Sequence, residues 1–185
     1  MIPSHNFCYI WQGIIATEKH MEIKDTYRYK SVDIARYIIA KANEKQYGIN
    51  VTKVQKLLYI IYGVYLRVYE ERLVDEHPQA WPYGPVFPNT RTMIIDTMNA
   101  EVLEYPMEQI DESIKNDVEL NKVLEFVFSQ FGTWNAGQLT EWTHRKNTPW
   151  SRITSEDGFW WGDIIPDTYI YEFFFKLVKV TDNGK

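Results

Sequence analysis

Apolar residues recur at helical spacing along several stretches of the chain. Ile34, Ala35, Ile38, Ile39 and Ala42 form one stripe; Ser31 ahead of it is read as an N-cap, Asp33 suits the positive end of the helix dipole, and the pattern stops near Tyr47-Gly48. In the next stretch Val54, Leu57, Leu58, Ile61, Tyr65 and Val68 repeat at the spacing of a helix face, while Tyr59, Ile60, Tyr62, Leu66 and Tyr69 fill the other sides. A helix apolar nearly all round belongs at the centre of a fold, touched by neighbours on several faces. Thr52 and Gln55 have capping-box spacing at its start, and Gly63 in its middle is read as a place where another backbone comes close.

From Arg72 to Asn89 the pattern changes. This stretch holds four of the chain's 8 prolines, which rules out regular helix and suits short extended pieces joined by turns. Asn89 is read as the cap of a helix through Met93, Ile94, Thr97 and Met98, and a strand is expected at 102–105. Leu124, Val127, Phe128 and Phe131 line a further helix from Asp117, closed by Gly132. Asn135 and Gln138 open a short helix carrying Leu139, Trp142 and Thr143, and Thr148-Pro149-Trp150 reads as N-cap, N1 and N2 of another turn. A last helix is expected from about Asp167 to Val178. The expected fold is predominantly α: a compact helical domain around a central apolar helix at about 52–70, with a small β-hairpin or β-arm at about 73–88. Residues 31–180 are read as one domain. Residues 1–30 are set aside as an N-terminal extension, partly disordered or the product of a start at Met1 where Met21 opens the more ordinary sequence.

Composition narrows the function classes. At 185 residues, with 45% hydrophobic and 24% charged positions, the chain has the makings of a packed core. Its 20 Lys+Arg against 25 Asp+Glu leave a net charge of −5, which disfavours nucleic acid as a partner because no general basic field is present. One cysteine, Cys8, makes no disulfide framework and points to a reducing, cytoplasmic setting. No run approaches the ~20 apolar residues of a membrane-spanning helix, and Phe7 to Ala16 lacks the preceding cations of a signal peptide.

Candidate chemistry is sparse. Of the 4 histidines, His5, His20, His77 and His144, none stands in a metal-ligand spacing, and Asp75, Glu76 and His77 are adjacent residues on an extended segment that would not converge on one ion. There is no nucleophile elbow and no phosphate-cradling glycine loop, so neither an enzyme nor a metal or other cofactor is expected. His144, Arg145 and Lys146 first read as cations complementing a helix C-terminus, and second as a partner contact. Trp81, Tyr83, Pro85 and Phe87 first read as rings and prolines clamping the arm to the helices, and second as a binding surface. The tyrosines at 59, 62, 65 and 69 read as core.

The run from Lys53 to Pro88, followed by Leu139 to Trp150, resembles the Panacea, or SocA-like, antitoxin domain of bacterial and phage-associated proteins. The pieces that carry the resemblance are Lys56-Leu57-Leu58-Tyr59, Leu73 to Asp75, Ala80-Trp81 with Tyr83-Gly84-Pro85-Val86 and Pro88, and Leu139-Thr140 with Thr143-His144-Arg145 and Pro149-Trp150. Tyr62 departs from the glutamine that many relatives carry. The resemblance implies the antitoxin of a toxin–antitoxin pair, neutralising a cognate toxin encoded in an adjacent gene by direct protein–protein binding. Its alternatives are a proteolytic adaptor delivering the toxin to an ATP-dependent protease and an enzyme with an unrecognised small-molecule site; transcriptional autoregulation ranks last. The candidate partner-binding residues are Trp81, Tyr83, Pro85, Phe87, His144, Arg145 and Trp150.

Overall fold

The computed structural model describes residues 9–12, 24–98 and 103–181. Its elements are β1 (Tyr9–Gln12), β2 (Lys24–Tyr29), α1 (Ser31–Glu44), α2 (Val51–Tyr69), β3 (Glu71–Val74), β4 (Gln79–Trp81), β5 (Gly84–Val86), α3 (Pro88–Thr97), α4 (Glu112–Lys115), α5 (Val118–Phe131), α6 (Ala136–His144), α7 (Pro149–Ile153), α8 (Asp167–Leu177) and β6 (Val178–Thr181). The fold is mainly helical with short strands, as the hydrophobic pattern predicts. Helix α2 is its axis: every residue from Lys53 to Val68 is buried, and α1, α3, α5, α6, α8, β3 and β5 pack around it. The all-round apolar surface leaves it no face to offer water, so neighbours must cover each side. None of the helices among the described residues is long and apolar enough to cross a membrane.

Among the described residues the strands pair in twos. β4 and β5 form the expected antiparallel hairpin, with Gln79 opposite Val86, Ala80 opposite Pro85 and Trp81 opposite Gly84. β2 runs parallel to β3, and β1 parallel to β6. The segment 24–30, within the expected extension, is fastened to the body: the Arg28 guanidinium donates to Tyr65 (2.7 Å) and pairs with Asp117 (3.1 Å) and Glu119, and the Tyr29 hydroxyl donates to Asp117 at 2.8 Å. Residues 1–8 and 13–23 of that extension, with Met21 and Cys8, lie outside the described residues, as does Val102 of the expected strand; 103–105 pair with no strand among the described residues.

Three helix starts differ from the local reading, two of them for one reason. Ser31 is the first helical residue, not the cap; its amide donates to the Asp75 carboxylate at 2.9 Å and its hydroxyl donates to Glu76. Asn89 lies inside α3, where its amide and that of Thr90 donate to Glu76 (2.9 and 3.2 Å). Both starts thus use carboxylates from the β3–β4 loop, which suit the positive helix end better than a local hydroxyl. At α2, Asn50 is the cap, accepting from the Lys53 amide at 2.9 Å, which frees Gln55 for a distant partner. The starts at Asp117, Asn135 with its Gln138 capping box, and Thr148 follow the local rules. Gly132 ends α5 in an ordinary right-handed conformation (φ −58°), its bare Cα pressed against the Tyr47 ring.

At Gly63 the close neighbour is a side chain and not a backbone. A Cβ there would lie 2.0 Å from Cε2 of Phe174, a buried ring of α8 that also meets Tyr59 edge-on at 6.2 Å. Overpacking costs about 1–3 kcal/mol or more, against a gain of about 1 kcal/mol in helix propensity. Gly63→Ala is therefore expected to lower the urea midpoint and Tm, while Gly48→Ala, which meets nothing within 4 Å, holds or raises both.

Candidate functional site

The β4–β5 hairpin is mounted on the first turns of α2. The Phe87 amide donates to Oε1 of Gln55 at 2.7 Å, and Nζ of Lys56, buried to 1% exposure, donates to the Pro85 carbonyl at 2.9 Å. Gly84 adopts φ +100°, and a Cβ there would stand 2.8 Å from Cε of Lys56 and 2.9 Å from Oγ1 of Thr143, so conformation and space both demand glycine. The turn at Pro82-Tyr83 then projects outward, with Tyr83 77% exposed.

Helices α6 and α7 brace the hairpin from the side. The capping box at Asn135 orients α6 so that Leu139, Trp142 and Thr143 enter the core. The chain reverses at Asn147 (φ 67°), held by the Thr148 hydroxyl donating to the Thr143 carbonyl at 2.7 Å. That reversal lays the Trp150 indole flat on His144, 3.8 Å between centroids and 7° between planes, and its Nε1 donates to the Trp81 carbonyl at 2.9 Å. One side chain thus joins α6, α7 and β4. Beyond α7, residues 162–165 run beside the free edge of β4: Gly162 donates to the Ala80 carbonyl (2.9 Å), Ala80 to Asp163 (2.8 Å) and Ile165 to Pro78 (2.8 Å). This loop brings Trp161 to 6.3 Å from Trp150, with Phe159 edge-on to it.

The candidate residues divide between two sides of the arm. Tyr83 and Arg145 are exposed, while Trp81, His144 and Trp150 are half-buried. Pro85 and Phe87 turn inward and offer no surface: Phe87 is fully buried, with its ring edge-on to Tyr62 at 5.8 Å. They hold the arm down instead. The composition of the exposed side comes from a run the sequence reading passed over, Phe159-Trp160-Trp161 between Gly158 and Gly162, with Trp160, Trp161 and Ile164 exposed by 75%, 57% and 51%. Two adjacent tryptophans between glycines, outside any helical period, were the available signal. Asp75 and Glu76 both accept from Ser31, Glu76 also from the start of α3, while His77 Nδ1 faces Asp167 at 3.4 Å. Tyr59, Tyr62 and Tyr65 are core residues, and Tyr62, the departure from glutamine, keeps a polar role by donating to Asp167 at 2.6 Å.

The electrostatics beneath the arm are unusual. Burial pushes the Lys56 ammonium from 10.5 down to about 7, and burial together with the Lys56 charge lowers His144 as well. His144 is therefore a stacked, neutral imidazole at neutral pH, not a cation serving the helix dipole. Between pH 7 and 10 the unfolded chain holds a proton that folded Lys56 has released, so stability rises with pH across that window; below pH 7 both states hold it and the penalty is complete. Lys56→Met is expected to remove most of the rise in urea midpoint between pH 7 and about 9.5, before the tyrosines titrate, with Lys53, lowered by burial in the same direction, supplying what remains.

Comparison with known proteins places these residues in a family. A sequence model described as Antitoxin SocA-like, Panacea domain, matches residues 54–151, which include Lys56, Gly84, Pro85, Thr143, His144 and Trp150. Antitoxin SocA of Caulobacter vibrioides (strain NA1000 / CB15N) is 27% identical over 146 residues, spanning 70% of this chain and 74% of that protein. No solved structure matches. With more than half of its length covered by that model, the chain belongs to the SocA-like, Panacea-domain antitoxin family.

Proposed function

We propose that this protein is the antitoxin of a toxin–antitoxin pair, and that it neutralises a cognate toxin encoded in an adjacent gene by binding it directly through the aromatic face of the arm. Family membership and the relative named Antitoxin SocA support the antitoxin role. The observation that carries the choice of surface is the grouping of exposed Tyr83, Trp160, Trp161 and Ile164 on the hairpin and on the loop hydrogen-bonded along its edge. Exposed apolar area of this kind marks interaction sites, and tryptophan and tyrosine dominate the energetic centres of interfaces. The hairpin and loop are tied to the body by main-chain bonds, so little order remains to be gained on binding. The reading needs no catalytic step.

The test is to express the neighbouring open reading frame alone and together with this protein, and then to purify the complex. Toxicity alone, growth together and a stoichiometric complex are expected. Within that complex Tyr83→Ala and Trp161→Ala should each weaken binding at least tenfold, about 1.4 kcal/mol, with unchanged circular dichroism. Val118→Ala, comparably exposed but at the start of α5, should leave affinity unchanged. Inhibition of the purified toxin without any protease is expected; inhibition only in the presence of an ATP-dependent protease would make the protein an adaptor instead.

A further inference from the structure

We propose that Lys56 is a positioning residue for the contact surface: by holding the Pro85 carbonyl from beneath, it sets the place of the hairpin tip that carries Tyr83. The inference rests on the reading of the arm as the toxin-binding face, and its test separates the two. Lys56 is 1% exposed, yet no carboxylate pairs with it among the described residues; its partner is a neutral main-chain carbonyl at 2.9 Å. The Thr143 hydroxyl beside it is spent on the Thr140 carbonyl at 2.9 Å, and His144, held toward its neutral form, offers no negative charge.

Packing does not account for such a side chain. A methionine of similar length would fill the space with no charge to desolvate, and replacing buried charges by apolar groups is often neutral or stabilising. What methionine lacks is a donor. That donor meets β5 where proline has removed the strand's own N–H, so the Pro85 carbonyl is the group by which β5 is gripped at this point. Two residues on, Gln55 takes the Phe87 amide, and at Gly84 the backbone lies directly on the lysine stem. The strand therefore rests on the lysine stem at Gly84 and is tied to Lys56 at Pro85 and to Gln55 at Phe87, with the turn at Pro82-Tyr83 as its overhang.

The decisive experiment is hydrogen exchange by mass spectrometry on the free, full-length protein, comparing wild type with Lys56→Met and with Val127→Ala, a core truncation in α5 remote from the arm. Lys56→Met is expected to match or exceed wild type in urea midpoint at pH 7, while peptides covering 79–87 exchange at least tenfold faster and α2 and α5 keep their protection. Val127→Ala should lower global stability with no preference for the arm. In the toxin complex Lys56→Met should weaken binding at least tenfold despite its intact core. Unchanged exchange at 79–87, or a Lys56→Met chain that fails to fold, overturns the proposal, the second because the ammonium would then serve the core and not the arm. If Tyr83→Ala and Trp161→Ala leave binding untouched while Lys56→Met loosens the arm, the contact-surface reading fails and the anchoring by Lys56 stands without it.

Discussion

A helix buried on every side has no water to satisfy its polar side chains, and α2 carries three of them close together, Lys53, Gln55 and Lys56, each below 5% exposure. An unsatisfied buried donor costs about 1–3 kcal/mol, and an unpaired charge costs more. Each finds a main-chain group of a surrounding loop, Gln55 through its Oε1 alone, its Nε2 having no partner among the described residues. Lys53 donates to the carbonyls of Gly48 and Gly132 (2.8 Å each), tying the α1–α2 and α5–α6 connections, while Gln55 and Lys56 tie the hairpin. The remaining structure depends on this constraint. Loops held by their backbone keep their course whatever side chains they display, so the same bonds that satisfy α2 fix the surfaces around it.

Those bonds explain what could and could not be read beforehand. Periodicity alone located α1, α2, α5 and α8, because burial of a stripe is recorded at every third or fourth residue. Caps were legible at Asn135 and Gln138 and at Thr148 and Ser151, where donor and acceptor lie within three residues, whereas at α2 two local candidates competed and Asn50, not Thr52, took the role. They were illegible at Ser31 and Asn89, where the acceptors are Asp75 and Glu76 on a loop that only the folded topology brings near. Gly63 was recognised as a contact point, but the occupant, Phe174, lies more than a hundred residues further along the chain. The segment 24–30 carries no periodic stripe and is held by polar bonds from Arg28 and Tyr29, which no hydrophobic pattern reports.

The candidate site shows the same division. Proline and glycine at 82, 84 and 85 revealed a turn between short strands, yet alternation in so brief a hairpin does not say which side is covered. Phe87 and Pro85 proved to be the fastening and Tyr83 the display. Trp150 sits between the two roles. Its indole N–H is satisfied by the Trp81 carbonyl and one face by His144, and the neighbouring ring of Trp161 extends the aromatic surface outward. Trp161 is thus the outer layer of a stack whose inner layer, Trp150 on His144, is already packed.

The charge pattern gives that layered arrangement a further property. Burial favours the neutral form of both Lys56 and His144, and the Lys56 charge lowers His144 further, so the ground beneath the arm tends toward neutrality at physiological pH. The net charge of −5 acts at long range and is screened over about 8 Å at physiological salt. Aromatic contact close in and charge far out govern different rates: packed rings mainly set how slowly a bound partner leaves, and the distant field how quickly an oppositely charged one arrives. For the surface proposed here, affinity then rests chiefly on geometry. That geometry is held by hydrogen bonds from α2 to the backbone of the arm, which salt does not screen because they are buried.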